Sequence, residues 1–362
     1  MTYSQRRANL RRRLEAAQLD AILVTDLVNI RYLSGFTGSN AALLVFANAD
    51  ALAALATDGR YRTQATQQAP DVRLEIERAC GPHLTRCAAA EGVARLGFES
   101  QVVTVDGYDE LARAAGEVEL VRAAGMVEAL REVKDDGEKA LLRLACEAAD
   151  AALADLIERG ELRPGRTERQ VARDLESLML DHGADGPSFE TIVAAGPNSS
   201  IPHHRPTDAQ LASGDFVKID FGALIAGYHS DMTRTFVLGQ AAQWQYDIYN
   251  LVATAQRAGR EALTPGEACK DVDAAARTVI ADAGYAENFG HGLGHGVGLQ
   301  IHEAPGISAS SAATLQADSA VTVEPGVYLP DRGGVRIEDT LIVGETGPEL
   351  LTRFPKELAI LT

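Results

Sequence analysis

Histidines that could bind a metal ion or a substrate are concentrated in the second half of the chain. Six of the eight histidines lie between His203 and His302, and three of them fall within residues 291–302. His291 and His295 each have glycine on both sides, and glycine lets a backbone approach an ion or ligand closely. These glycines never complete a G-x-G-x-x-G pattern, and no GK[ST] follows them. The segment therefore indicates an ion or ligand site and gives little support to a phosphate-binding loop.

Four carboxylates stand in apolar, strand-like sequence, where a charge is costly to bury unless it is paired or bound to a metal. They are Asp220, Asp231, Glu324 and Glu338. Taken singly, each is typical of an ion-paired or edge carboxylate. Together with the imidazole of His295 they suit two divalent cations, and oxygen-rich ligation favours Mn²⁺, with Co²⁺ or Zn²⁺ as alternatives. Two ions about 3.5–4 Å apart can hold a shared hydroxide and polarise a carbonyl, which is the chemistry of hydrolysis.

Several separate motifs resemble the Xaa-Pro peptidases, prolidase and aminopeptidase P, of the pita-bread peptidase family. The matching stretches are residues 196–203, 220–223, 231–235, 291–303, 324–326 and 336–340. Residues 29–39 and 57–61 resemble the N-terminal domain of the same family. The resemblance is specific, because so many motifs in the family's order would have to arise together by chance.

The resemblance implies a role for each of the five metal ligands. Asp231 and Glu338 would bridge the two ions, and Asp220 would chelate one of them. His295 and Glu324 would complete the coordination of the other ion. Glu324 would also move the proton of the water held between the ions.

The resemblance also implies four residues that act on the substrate. His302 would lie near the scissile carbonyl or its oxyanion, and His203 near the nitrogen of the leaving proline. His291 would line the proline pocket. Arg336 would orient other ligands or bind the substrate carboxylate. The implied substrate is a peptide with proline in the second position, and the implied assembly is a homodimer.

Sequence periodicity predicts the elements that must position these residues. The order of elements indicates an α+β protein, and the resemblance divides it into a smaller α/β, creatinase-like domain (residues 1–127) and a pita-bread catalytic domain (residues 128–362). In the first domain the patterns predict a helix at 4–18, strands at 21–24, 41–46, 52–57 and 96–98, and a loop between the first two strands.

The second domain begins with two helix signals. Asp135 with Glu138, and Thr167 with Gln170, have the spacing of capping boxes, and Gly183 is placed to end the second helix. Further helices are predicted at 241–262 and 267–283. Strands are predicted at 189–195, 216–221, 228–238, 321–324, 327–329 and 335–343.

Composition limits the partners and the location of the protein. The net charge of −17 disfavours binding to nucleic acid or to anionic membranes. The basic N-terminus lacks the apolar segment of a signal peptide, and no run approaches the roughly 20 apolar residues of a membrane span. Four cysteines without a CxxC pair indicate reduced thiols. The sequence therefore predicts a cytoplasmic enzyme.

The preferred hypothesis is hydrolysis of the bond between an N-terminal residue and proline, by a dipeptidase or an aminopeptidase. A methionine-aminopeptidase-like or general aminopeptidase would use the same ligands, but such enzymes usually lack the first domain. A metal-free, creatinase-like amidinohydrolase is disfavoured because all five ligand positions are intact. A binding module without catalysis is disfavoured by the complete site and by the acidic charge.

Overall fold

The computed structural model describes all 362 residues, which form two compact units, Met1–Arg131 and Glu132–Thr362. Both units combine helices with sheets, in agreement with the predicted α+β class. The division of the chain between Arg131 and Glu132 lies a few residues beyond position 127, where the predicted first domain ends. None of the helices combines the length and the apolar character needed to span a bilayer. All four cysteines are free thiols, as predicted.

The first unit contains one six-stranded mixed sheet and six helices. Its strands are β1 (Ala21–Val24), β2 (Ala41–Phe46), β3 (Ala54–Thr57), β4 (Arg73–Ile76), β5 (Arg95–Phe98) and β6 (Glu119–Arg122). Its helices are α1 (Tyr3–Ala16), α2 (Leu27–Ser34), α3 (Arg62–Gln68), α4 (Cys80–Ala90), α5 (Val105–Ala115) and α6 (Glu128–Arg131). The strand order is β4-β3-β2-β1-β5-β6, and β2 runs antiparallel to both of its neighbours.

The prediction of a loop between β1 and β2 is wrong, because residues 27–34 form helix α2. Asp26 begins this helix by accepting hydrogen bonds from the backbone N–H groups of Val28 and Asn29. Gly35 ends it in the left-handed conformation, with φ +80°. An acidic N-cap and a glycine at the C-terminus are the local signals of a helix, and they outweigh the irregular apolar pattern between them.

The second unit contains two pairs of packed helices, α7 with α8 and α9 with α10. They are α7 (Asp136–Glu158), α8 (Glu168–Asp181), α9 (Gln243–Glu261) and α10 (Cys269–Asp282). Both predicted capping boxes are present, with Asp135 capping α7 and Thr167 capping α8. Gly183 follows the end of α8 with φ +92°, as expected of a residue that terminates a helix.

The sheets of this unit carry the residues of interest. Their strands are β7 (Gly186–Pro187), β8 (Ile192–Ala195), β9 (Phe216–Phe221), β10 (Ala223–Ile225), β11 (Tyr228–His229), β12 (Met232–Leu238), β13 (Gly294–Gly296), β14 (Glu303–Ile307), β15 (Ala320–Val323), β16 (Gly326–Leu329), β17 (Gly333–Arg336), β18 (Asp339–Ile342), β19 (Glu349–Leu350) and β20 (Ile360–Leu361). One sheet has the order β20-β12-β9-β8, and another has the order β14-β13-β15-β18-β19. Smaller sheets join β11-β10-β7 and β16-β17.

Two long predicted strands are broken at a carboxylate. The strand predicted at 228–238 is interrupted at Ser230 and Asp231, and the one predicted at 335–343 is interrupted at Ile337 and Glu338. The strand predicted at 189–195 begins only at Ile192. In a regular strand successive side chains point to opposite faces of the sheet. Residues at a break are not bound by this alternation, so the side chains of Asp231 and Glu338 can take directions that a continuous strand would not allow.

The glycines around His295 serve the packing of neighbouring strands. A Cβ atom added at Gly294 would lie 2.0 Å from the carbonyl oxygen of Thr322, and one at Gly296 would lie 2.1 Å from that of Ala304. Both distances are far inside van der Waals contact. Glycine is therefore required here because adjacent backbones approach closely, a different reason from the approach to an ion that the sequence suggested.

Gly294→Ala is expected to destabilise the second unit by about 3 kcal/mol, since overpacking forces the backbone to move. In a unit of this size each kcal/mol lowers the melting temperature by roughly 2–4 °C. Gly306→Ala is the matched control, because Gly306 lies on the adjacent strand β14 and its added Cβ would meet nothing within 4 Å. Calorimetry on both variants checks this prediction, and equal melting temperatures would contradict it.

Candidate metal centre

A cavity of about 450 Å³ opens in the second unit. Its lining contains all nine residues predicted from the sequence: His203, Asp220, Asp231, His291, His295, His302, Glu324, Arg336 and Glu338. The structure therefore brings together side chains that span more than a hundred positions of the chain. The remaining lining includes the apolar side chains of Phe189, Ile192 and Ile301.

The five predicted ligands come from the two larger sheets. Asp220 lies on β9, and Asp231 directly precedes β12, which pairs with β9. His295 lies at the centre of β13, Glu324 directly follows β15, and Glu338 directly precedes β18. The backbone N–H of Glu338 donates to the carbonyl of Thr233 at 3.1 Å, which ties the two sheets together beside the ligands.

The hydrogen bonding of His295 identifies which of its ring nitrogens is free. Nδ1 lies 3.0 Å from the carbonyl oxygen of Gly296, so it carries the proton and donates. The lone pair of Nε2 then points towards carboxylate oxygens, 3.3 Å from Oε1 of Glu324 and 3.6 Å from Oδ2 of Asp231. Burial lowers the pKa of His295 to about 4, so this nitrogen is unprotonated at neutral pH. A divalent cation held by His295 and these carboxylates would remove the repulsion between the lone pair and the acidic oxygens.

The buried carboxylates of the cavity also lack enough positive charge to compensate them. Oδ1 of Asp220 and Oε1 of Glu338 are buried without a hydrogen-bond partner. Burial, together with neighbouring carboxylates, raises the pKa values of Asp231 and Glu338 well above their ordinary range. Burial likewise raises the pKa of Glu324 to about 8. A buried cluster of acids and one imidazole fits divalent cations, which would satisfy the unpaired oxygens and favour the ionised carboxylates.

Three of the ligands already form a compact set. One ligand atom from each of Asp231, His295 and Glu338 lies within 4.8 Å of the others. This group is the candidate metal site that the geometry alone identifies, and Asp220 and Glu324 lie in the same cavity beside it.

Arg336 is hydrogen-bonded to this cluster from within the protein. Its side chain is buried, and all three guanidinium nitrogens donate to protein groups. Nη2 donates to Oδ2 of Asp220, Nε to the hydroxyl of Thr233 at 3.0 Å, and Nη1 to the hydroxyl of Tyr328 at 2.8 Å. Thr233 in turn donates to Oε2 of Glu338 at 2.6 Å. Of the two roles considered for Arg336, the geometry favours orientation of ligands.

Two histidines of the cavity are held as neutral rings. Nδ1 of His291 donates to the carbonyl of Gly292 at 2.8 Å, and its Nε2 accepts from the hydroxyl of Tyr328 at 2.9 Å. Burial lowers the pKa of His291 to about 4 and also lowers that of His302. The ring of His302 packs edge-on against that of His295, with 4.3 Å between centroids.

The sequence did not single out Thr233 or Tyr328. Thr233 lies two residues after Asp231, and Tyr328 lies four residues after Glu324, so each is close in sequence to a predicted metal ligand. Their hydroxyl groups connect Arg336 to Glu338 and to His291, respectively. No feature of residue type separates these hydroxyls from ordinary strand residues.

Comparison with protein families agrees with this geometry. Residues 140–345 match the description "Metallopeptidase family M24", and residues 6–133 match the "Creatinase/Prolidase N-terminal domain". The chain belongs to metallopeptidase family M24. It is therefore a hydrolase of a metal-dependent family, and the predicted family and fold are confirmed: a pita-bread domain preceded by a creatinase-like domain.

Several M24 relatives extend over the full length of the chain. The uncharacterized peptidase YqhT of Bacillus subtilis is 41% identical over 345 residues, which cover 95% of this chain and 96% of the relative. The structure of an Xaa-Pro dipeptidase from Bacillus anthracis superposes with a TM-score of 0.94 at 38% identity, covering 99% and 100% of the two chains. That of an X-Pro aminopeptidase from Thermotoga maritima gives 0.90 at 32% identity, with 99% of each chain covered.

Proposed function

We propose that this M24 peptidase hydrolyses the bond between an N-terminal residue and proline, using two divalent metal ions. The ions would be held by Asp220, Asp231, His295, Glu324 and Glu338. The observation that carries the proposal is the buried acidic cluster, with two unpaired oxygens and the bare Nε2 of His295 facing it. When bound, such ions activate a water molecule and polarise the scissile carbonyl.

We assign the other steps of the reaction to Glu324 and to side chains next to the proposed ligands. Glu324, whose Oε1 accepts from the hydroxyl of Thr322 at 3.3 Å, moves the proton of the attacking water. His302 stabilises the oxygen of the scissile carbonyl, and His203 lies at the nitrogen of the leaving proline. Arg336 keeps Asp220 and Thr233 in place and does not contact the substrate carboxylate.

A proline residue suits this cavity for two reasons. Proline has no backbone N–H, so a peptidase that binds its substrate through a hydrogen bond from that group loses this bond when the residue is proline. The rigid ring instead needs an apolar wall, and the neutral ring of His291 with the apolar side chains of Phe189, Ile192 and Ile301 would supply it. The dipeptidase and aminopeptidase names of the M24 relatives support the same specificity.

Arg205 favours dipeptides over longer substrates. It lines the cavity two residues after His203, with its side chain 82% exposed, and pairs with Glu190 at 3.1 Å. Arg336 is buried and engaged with protein groups, whereas the exposed guanidinium of Arg205 can exchange Glu190 for the free carboxylate of an Xaa-Pro dipeptide. A tripeptide carries an amide at that position and gains nothing from the charge.

Arg205→Gln is expected to lower kcat/KM for an Xaa-Pro dipeptide by about fivefold, the effect of losing one exposed ion pair of roughly 1 kcal/mol. The value for an Xaa-Pro-Xaa tripeptide is expected to stay unchanged. Arg169→Gln is the matched control, because Arg169 forms a similar exposed pair with Asp208 outside the cavity lining. Steady-state kinetics on both substrates check this, and equal losses on dipeptide and tripeptide would refute the specificity role.

The oxygen-rich ligand set supports Mn²⁺ as the bound ion, with Co²⁺ or Zn²⁺ as alternatives. Assembly as a homodimer is a further prediction of the family resemblance, and a cytoplasmic location is predicted from the sequence composition. Analytical ultracentrifugation of the metal-loaded protein tests the first of these, and a sedimenting mass equal to that of one chain would exclude the dimer.

A further inference from the structure

The segment from Ala195, the last residue of β8, to Thr207 carries His203 into the cavity, and after β8 its only regular element is a short 3₁₀ turn at Gly196–Ser200. We propose that two buried charged side chains, Glu168 and Lys218, are positioning residues that fix this segment and hold His203 in its working position. The inference rests on the proposed function, because it assumes that His203 acts on the substrate.

Glu168 lies at the start of α8 and is fully buried. Its Oε1 accepts from the backbone N–H of Ala195 and the amide of Asn198, both at 2.9 Å. Its Oε2 accepts from Nε2 of His204 at 2.8 Å, and from the backbone N–H and hydroxyl of Thr207 at 2.9 and 2.7 Å. One carboxylate thus binds both ends of the segment and the residue directly after His203.

Lys218 lies on β9 and is also fully buried. Its Nζ donates to the carbonyl of Ile201 at 2.7 Å and to that of Pro202 at 3.3 Å, and it lies 5.0 Å from the ring centre of Tyr328. Arg336 adds a contact to the carbonyl of Pro202 at 3.3 Å. Burying an ammonium group without a carboxylate partner is costly, and the contacts that compensate it fall on the two residues directly before His203.

The two charges therefore hold the backbone on both sides of His203. Lys218 fixes positions 201 and 202 by their carbonyl groups, and Glu168 fixes position 204 by its imidazole. Neither charged side chain lines the cavity itself. The shortest path from these contacts to the reaction runs through the position of His203, and a displacement of about 1 Å at a reacting group can cost roughly a hundredfold in rate.

The hydrogen bonds of Glu168 and Lys218 determine which substitutions test the positioning role. All five groups that contact the Glu168 carboxylate are hydrogen-bond donors, two on Oε1 and three on Oε2. The NH₂ group of a glutamine at this position is also a donor, so in either orientation of the amide it would face two or three other donors without an acceptor. Lys218→Met keeps the length of the side chain and removes the donors. Asp150→Asn is the control, because Asp150 also holds a distant segment by two backbone N–H groups, those of Arg353 and Phe354, outside the cavity lining.

The first measurement is hydrogen–deuterium exchange on the metal-loaded full chain. Peptides covering residues 195–207 are expected to exchange at least about tenfold faster in Glu168→Gln and Lys218→Met, and at the wild-type rate in Asp150→Asn. Unchanged exchange of this segment in both test variants would overturn the proposal, whatever the substrate of the enzyme proves to be.

The second measurement is a double-mutant cycle with His203→Ala. Alone, Lys218→Met and Glu168→Gln are each expected to lower kcat/KM for an Xaa-Pro dipeptide by about ten- to a hundredfold. In the His203→Ala background the further loss is expected to be less than about threefold, because the residue through which they act is absent. Losses that multiply in the double variants would show a general structural role and overturn the proposal.

The two measurements separate this inference from the function on which it rests. A wild-type enzyme that fails to cleave any Xaa-Pro peptide contradicts the proposed function, and the exchange result then still decides whether the segment is clamped. An active wild-type enzyme with multiplicative losses contradicts only the positioning role. Metal content measured in every variant should equal that of the wild type, since neither side chain is a proposed ligand.

Discussion

Asp231→Ala is expected to give a folded protein whose Xaa-Pro hydrolysis has fallen by about three orders of magnitude or more. The buried carboxylate of Asp231 belongs to the compact ligand set with His295 and Glu338. Loss of a shared ligand removes metal-ion catalysis worth several kcal/mol of transition-state stabilisation, and each 1.36 kcal/mol is about a tenfold change in rate.

The fold of this variant should survive because the deletion relieves repulsion. Asp231 is crowded by the carboxylates of Asp220 and Glu324, so its charge opposes folding when no cation is bound. Asp150→Ala provides the comparison: it removes a half-buried carboxylate that holds a backbone N–H outside the cavity lining, and it should cost stability while activity remains. Circular dichroism and kinetics on both variants test the prediction, and near-normal turnover of Asp231→Ala would rule out its role as a shared ligand.

Exhaustive removal of metal ions is expected to abolish activity, and Mn²⁺ or Co²⁺ should restore it. Without cations, the unpaired oxygens of Asp220 and Glu338 stay unsatisfied, and the lone pair of His295 faces acidic oxygens. The apoprotein should also melt at a lower temperature, since an ion at a hundred times its Kd stabilises the native state by about 2.7 kcal/mol.

A titration of the apoprotein checks both effects. Activity and melting temperature are followed as Mn²⁺ is added, and the number of ions bound at full activity is measured by elemental analysis. In Asp231→Ala the same additions should raise the melting temperature far less. Full activity after complete metal removal would contradict the proposed mechanism, and saturation of activity with one ion per chain would contradict the two-metal site.

Local signals in the sequence predicted much of the fold. The ends of β9 agree with the prediction because an apolar side chain, Phe216 or Phe221, stands at each end of the strand, and both capping boxes at α7 and α8 are formed. The breaks at Asp231 and Glu338 could not be read in the same way. They depend on a contact between backbone groups of Thr233 and Glu338, which are 105 residues apart, while the apolar pattern continues through both positions.

The cluster of candidate ligands could be predicted from the sequence, whereas the residues that support it could not. Each acid at a ligand position is conspicuous because a charge in an apolar run needs compensation. The partners of Arg336 are not conspicuous, because Asp220 lies 116 positions away and the hydroxyls of Thr233 and Tyr328 look like ordinary strand residues. Lys218 stands in the same apolar run as Asp220, yet its partners are backbone carbonyls, which have no signature in a sequence.

The distribution of the ligands over two sheets has a consequence for biosynthesis. Asp220 and Glu338 are separated by 118 residues, so the ribosome needs roughly 6–24 s at 5–20 residues per second to add the last ligand after the first. During that interval the nascent chain has no complete set of ligands and cannot cleave other peptides. With the proposed ligands, catalytic competence therefore arises only after Glu338 has been synthesised and the strands next to Glu324 and Glu338 have joined the sheet that contains His295.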